Sequence, residues 1–344
     1  MSLQDDVREP DYPAYAAAGA EALQRWYRPW SGCWRSAGWW NCANALTSVI
    51  AYTQRTGDKE YLGVVQRTFA AGRRQHRDFL VRFYDDNGWW GLAWVAAYDL
   101  TGEVSYLDAA RTIFANLVSG WDDTCGGGVW WNTDRSYKNA ITNELFLTLA
   151  VRLHQRSSGT SEYLDWAQRE WDWFCARGLI GPDGLVNDGL DGNCQNNRGQ
   201  TWTYNQGVVL GGLAALYEIT GDAGYLRQGE AIAGAALAAL TTPVPGARHG
   251  VLVEPGEHST ARSDGDRPQF KGIFMRNLYD FYRQSRQPAY REFILDNARS
   301  IWASNRTDSN QFGLHWAGPF DYADAARQSS ALDALNAAVP LAGD

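Results

Sequence analysis

Thr56-Gly57-Asp58-Lys59-Glu60-Tyr61-Leu62 reads as a helix stop followed at once by a helix start. The phrase returns as Thr101-Gly102-Glu103-Val104-Ser105-Tyr106-Leu107 and as Thr220-Gly221-Asp222-Ala223-Gly224-Tyr225-Leu226. A degenerate copy is Ser158-Gly159-Thr160-Ser161-Glu162-Tyr163-Leu164, and a fainter one surrounds Gln287-Pro288-Ala289-Tyr290. Apolar residues at helical spacing precede the phrase, as in Trp94-Val95-Ala96-Ala97-Tyr98-Asp99-Leu100. Glycine just past a helix end adopts the left-handed conformation that closes it. An acidic residue then caps the next helix and meets the positive end of its dipole. Pro288 suits a first helical turn. Each copy is therefore a tight turn between antiparallel helices. The tyrosines recur at intervals of 45, 57, 62 and 65 residues, which marks a repeat of helix pairs.

Working outward from these turns predicts twelve helices, near 13–28, 40–56, 59–79, 88–100, 104–119, 138–156, 161–176, 204–219, 223–240, 271–285, 288–304 and 322–338. The even-numbered ones are apolar and rich in small residues, as in Gly207-Val208-Val209-Leu210-Gly211-Gly212-Leu213-Ala214, and should be buried. The odd-numbered ones are amphipathic, as in Tyr106-Leu107-Asp108-Ala109-Ala110-Arg111-Thr112-Ile113-Phe114, and should lie outside. Six inner helices ringed by six outer ones make an all-α (α/α)6 toroid. It uses residues 1–344 as a single domain, although the length alone suggests two. A linear solenoid would have shorter and more uniform repeats. Hardly any strand is expected. A closed ring of this size needs no partner to bury its core, so a monomer is expected.

Composition excludes several functions. The net charge is −8, from 31 Lys+Arg and 39 Asp+Glu, and no basic block occurs. A nucleic-acid partner is therefore not expected. No run of about 18 apolar residues spans a membrane. The start, MSLQDDVREPDYPAY, has neither a basic nor an apolar leader region, which reads as cytoplasmic as written, or as secreted if a leader was trimmed. Cys33, Cys42, Cys125, Cys175 and Cys194 are odd in number and scattered. They do not read as a disulfide framework, and at most two bridges could form. The five histidines show no metal-binding spacing, so no metal and no cofactor is expected; an Asp-rich calcium site is the one kind the composition leaves open.

The short turns lie at one end of the ring. The connections at the other end are long, near 80–87, 120–137, 177–203, 241–270 and 305–321, and long loops on a rigid scaffold carry function. The chain holds 17 Trp and 17 Tyr, far more than packing demands, and many fall at this end. The candidate binding residues are Trp40, Asn44, Tyr84, Asn87, Trp89, Trp90, Trp130, Trp131, Lys138, Asn139, Asp188, Asp191, Tyr204, Asn205 and Lys271. Aromatic faces with amides and carboxylates suit a carbohydrate, which offers apolar C–H faces and dense hydroxyls. Core packing is the competing role for any single Trp here. Lys138, Glu144, Lys271 and Arg276 fit buried ion pairs as well as they fit substrate contacts. Asp188 and Asp191 fit sugar binding or Asx turns equally.

Asp85-Asp86 is the sharpest candidate for chemistry. Glycoside hydrolysis needs two carboxyls flanking the scissile bond, one to attack and one to protonate. A helix cap is the alternative role for this pair. Asp122-Asp123 is a rival pair, better explained by turn hydrogen bonding. His249 and His258 sit in a Pro/Gly-rich loop without a positioning motif.

Tyr84-Asp85-Asp86-Asn87-Gly88-Trp89-Trp90-Gly91-Leu92-Ala93-Trp94 resembles the bacterial members of glycoside hydrolase family 76. The resemblance continues through Cys125-Gly126-Gly127-Gly128-Val129-Trp130-Trp131, Tyr137-Lys138-Asn139-Ala140, Asn187-Asp188-Gly189-Leu190-Asp191, Trp202-Thr203-Tyr204-Asn205-Gln206-Gly207 and Phe270-Lys271-Gly272-Ile273-Phe274. It implies an (α/α)6 fold and endo-acting α-1,6-mannanase activity with retention. The implied partner is α-mannan or a mannooligosaccharide. The implied roles are nucleophile for Asp85 and general acid/base for Asp86. The family also includes fungal wall proteins thought to act as transglycosylases, so mannan transglycosylation is an alternative. A non-catalytic glycan-binding toroid is another. An isomerase on the same toroid would need a well-placed histidine at the mouth.

Overall fold

A computed structural model describes residues 9–258 and 265–342. The leader reading of the first eight residues lies outside them. Twelve α-helices follow one another: α1 Tyr12–Gln24, α2 Trp39–Thr56, α3 Leu62–Gln75, α4 Tyr84–Thr101, α5 Val104–Ser119, α6 Ala140–His154, α7 Glu162–Ala176, α8 Thr203–Thr220, α9 Ala223–Ala239, α10 Phe270–Ser285, α11 Pro288–Ser304 and α12 Ala325–Ala338.

The even-numbered helices pack in succession, α2 on α4, α4 on α6, α6 on α8, α8 on α10, α10 on α12, and α12 back on α2. The ring therefore closes, and the linear solenoid is excluded. Every residue of α12 and thirteen of the fifteen in α6 are buried, against five of fifteen in α7, which separates the inner wall from the outer. The inner helices meet through small residues. A Cβ on Gly272 of α10 would lie 2.5 Å from the backbone of Ser330 on α12, so no side chain fits there. The architecture is the expected (α/α)6 toroid. No helix among the described residues is long and apolar enough to cross a membrane.

The repeated turns have one construction. Gly57, Gly102 and Gly221 close α2, α4 and α8 with φ of +77°, +73° and +70°. The preceding threonine hydroxyl donates to the carbonyl four residues back, and it accepts from the N–H two residues on. Glu103 and Asp222 then cap α5 and α9 through their side chains.

Two expectations need correction, and the scarcity of strand holds. The helix expected from residue 88 begins at Tyr84, so Asp85 and Asp86 lie inside its first turn. Two antiparallel hairpins are present, β1 (Tyr27–Arg28) with β2 (Cys33–Trp34) and β3 (Thr241–Val244) with β4 (Ala247–Leu252). The cysteines form both bridges open to them, Cys33–Cys42 and Cys125–Cys194, leaving Cys175 free. The partners lie 9 and 69 residues apart and meet because loops converge on the mouth.

Candidate active site

The start of α4 is fixed by residues far along the chain. Phe83 bridges to Asn132, and the Tyr84 N–H donates to the Trp131 carbonyl at 2.8 Å. This clamp starts the helix at Tyr84 and sets both aspartates in its first turn, where the unbonded amides favour negative charge. Asp85 is held on both oxygens: Oδ1 accepts from the Asp86 N–H at 3.0 Å, and Oδ2 accepts from the Trp131 indole at 2.9 Å. Among the described residues, no donor hydrogen-bonds the Asp86 carboxyl.

The two carboxyls consequently differ. Burial pushes the Asp85 pKa up, while its two hydrogen bonds pull against that rise. Burial also raises Asp86, and the neighbouring charges of Asp85 and Asp266 raise it further. Asp85 is thus stabilised as a carboxylate by two donors that Asp86 lacks.

Four rings from four inner helices form one contiguous aromatic cluster at the same end of the toroid as this pair. Trp40 stacks near Trp89 with centroids 5.8 Å apart, Trp89 faces Tyr204 at 6.4 Å, Tyr204 lies on Phe270 at 3.8 Å, and Phe270 returns to Trp40 at 6.2 Å. The Trp40 indole donates to Asp266 at 2.9 Å. Asp188 accepts from Trp202 at 3.0 Å and from the Tyr137 hydroxyl at 2.7 Å. Burial first, and then the charges of Asp188, Asp85, Glu144 and Asp266, push the Tyr204 phenol well up, so these carboxyls converge on one hydroxyl. Beneath the rings, Arg276 lies over Trp89 at 5.7 Å, donates to Asn44, and pairs with Asp333 at 3.0 Å.

The structure thus brings together Asp85, Asp86, Trp40, Asn44, Trp89, Trp131, Asp188 and Tyr204. Asn205 is buried beside Tyr204, with neither side-chain polar atom hydrogen-bonded. Asn139 stands at the N-cap position of α6, where its side chain makes no capping hydrogen bond, and bridges to Gly189.

Other expected contacts are corrected. Trp90 is fully buried and packs on Trp39, Phe79 and Trp94, because its position on α4 faces the outer layer. Tyr84 is buried with its ring against Gly120. Asn87 spends its amide on both backbone groups of Val81 and on Asn116. Lys138 is an internal pin: it pairs with Asp122 at 2.9 Å and donates to the carbonyls of Thr124 and Gly127. Trp130 packs over that lysine and donates to Asp122 at 2.8 Å. Lys271 pairs with Glu257 at 2.7 Å and donates to the Leu314 carbonyl. Asp191 is exposed and closes a turn onto the N–H groups of Asn193 and Gln195. Both lysines are spent on loop carboxylates that no local pattern points to. Asp266 also faces the site, although its loop carries no motif and its only sequence signal is an acid just ahead of the Phe270 helix start.

The sequence matches glycosyl hydrolase family 76 over residues 18–341. The chain belongs to this family. Among its relatives is the mannan endo-1,6-alpha-mannosidase DFG5 of Saccharomyces cerevisiae, 26% identical over 332 residues, covering 86% of this chain and 70% of that protein. The corresponding DCW1 enzyme of Candida albicans is 27% identical, covering 81% of this chain and 66% of that protein. In structure, the family 76 toroid is similar to an inactive variant of an α-1,6-mannanase from Salegentibacter sp. HEL1_6, with two consecutive aspartates replaced by alanine, in complex with α-1,6-mannotetrose. That likeness has a TM-score of 0.86 at 26% identity, over 96% of this chain and 100% of the other.

Proposed function

We propose that this family 76 toroid, acting as one domain, cleaves α-1,6-mannosidic bonds in mannan or its oligosaccharides with retention of configuration. The observation that carries the reading is the unequal environment of two adjacent carboxyls beside a cluster of aromatic faces. Its relatives are mannan endo-1,6-alpha-mannosidases and a mannanase in complex with α-1,6-mannotetrose, which favours α-1,6-mannan. Asp86 gives its proton to the glycosidic oxygen as the C–O bond breaks, and Asp85 forms a bond to the anomeric carbon. The product is a glycosyl-aspartate with the leaving sugar released. Asp86, now ionised, takes a proton from water, whose oxygen displaces Asp85 and restores both groups. The Trp131 indole aims Asp85 and favours its ionised form. The two disulfides fit an oxidising compartment, where a polymer outside the cell would be met.

The test is digestion of unbranched α-1,6-mannan and of α-1,6-mannooligosaccharides, with product size and initial anomer read by chromatography and NMR. The expected result is endo cleavage with the α-anomer first, and a fall of about 10³-fold or more in Asp85→Asn and Asp86→Asn. Tight binding of mannan without cleavage by the unaltered protein would instead identify a glycan-binding toroid.

A further inference from the structure

The inner ring has a second chamber at the end where the repeated turns lie. It is a cavity of about 320 Å³ between α2, α4, α6 and α10. Trp89 and Arg276 line it as well as the aromatic mouth, so this pair partitions the axis of the toroid. Its charges are unbalanced. Arg55, Arg152, Arg156, Arg276 and Arg283 line it, against Asp99 and Asp280. Arg152 pairs with Asp280 at 2.9 Å, Arg156 with Asp99, and Arg276 with Asp333. Neither Arg55 nor Arg283 has a carboxylate within ion-pair distance among the described residues.

Arg55 is the decisive residue. Its guanidinium lies on the Tyr279 ring at 4.4 Å, and its Nη1 is buried without any hydrogen-bond partner. Burial pulls its pKa down, and Asp280 and Asp333 offset this only from a distance. Inner-helix carbonyls end nearby, which explains why cations collect at this end. It does not give the buried Nη1 an acceptor. A buried guanidinium left unneutralised is costly, and its planar fork matches the oxygens of a tetrahedral anion.

We propose that this chamber binds a compact oxyanion of the phosphate type, free or as a sugar monoester, with Arg55 as its principal ligand and Arg283 at the entrance. The site is separate from Asp85 and Asp86, and the proposal does not depend on the mannanase reading. Calorimetric titration of the full chain with inorganic phosphate, and separately with mannose 6-phosphate, at constant ionic strength tests it. Saturable one-site binding of either probe is expected, weakened about 30-fold or more in Arg55→Gln. Ala51→Glu places a carboxylate four residues ahead of Arg55 on α2, supplies the missing counter-charge internally, and should also abolish binding while keeping the wild-type melting temperature. If neither probe binds saturably, the arginines serve the helix ends alone and the proposal fails. It fails equally if a folded Ala51→Glu protein binds phosphate as tightly as the wild type.

Discussion

Asp85 and Asp86 are held in the folded protein at the expense of its stability. Burial raises both pKa values above the ordinary carboxyl range, so the native state binds protons that the unfolded chain has already released. Stability contributed by these groups therefore falls as pH rises from the unfolded carboxyl range, about 4, through the raised folded values. Asp86→Asn removes one such group. It should melt higher than the wild type at about pH 7.5, and the gain should shrink away toward about pH 3.5, where both states are protonated. Equal melting temperatures at neutral pH would contradict this. The indole of Trp131 makes a second prediction, because its hydrogen bond favours the ionised Asp85. In Trp131→Phe the acidic limb of the kcat/KM profile should move to higher pH while the alkaline limb, set by Asp86, stays in place. The aspartate pair was legible in sequence, because adjacent acids at a helix start among tryptophans are a local pattern. Trp131, 46 residues from Asp85, and Asp266 were not legible as its neighbours. Lys138 and Lys271 read equally as substrate contacts or buried ion pairs for the same reason: their partners, Asp122 and Glu257, lie in other loops.

The elements were largely legible because their punctuation is local. Threonine, glycine and acid each do one task in the repeated turn, and all three can be read from a few consecutive residues. Gly102 has φ +73° and nothing within 4 Å of where a Cβ would stand, so only conformation is at stake there. Gly102→Ala should cost about 1 kcal/mol in urea unfolding and leave mannan cleavage unchanged, since the turn lies at the far end from Asp85. Gly272→Ala should cost more, by about 1–3 kcal/mol of overpacking, because its methyl would meet the backbone of Ser330. A larger loss at Gly102 than at Gly272 would reverse this ranking. Where an element depends on a distant partner, the sequence is silent. The first turn of α4 is imposed by the Trp131 carbonyl and the Asn132 bridge, so its start was expected four residues late. The hairpin of β3 and β4 lies in a Pro/Gly-rich stretch that reads as loop, and it forms against α11.

At the scale of the molecule, a rigid ring carries a mouth built from loops, and the disulfides decide how firmly those loops are tied. Cys125–Cys194 joins the loop that carries Trp131 to the loop that carries Asp188, closing 69 residues. Cys33–Cys42 ties β2 to the start of α2 beside Trp40 and closes 9. Restricting the unfolded chain contributes about 4 kcal/mol for the longer closure and about 2.5 kcal/mol for the shorter. The longer bridge also fixes two sides of the site relative to each other. Cys125→Ser/Cys194→Ser should therefore unfold at lower urea than Cys33→Ser/Cys42→Ser, and it alone should raise KM for α-1,6-mannooligosaccharides under conditions where both variants remain folded. Reduction of the wild type with a dithiol should reproduce the larger of the two losses. If the two double variants lose stability equally and bind substrate equally, the loops are held by the Lys138 and Asp188 hydrogen bonds alone, and the bridge across the mouth is dispensable to it.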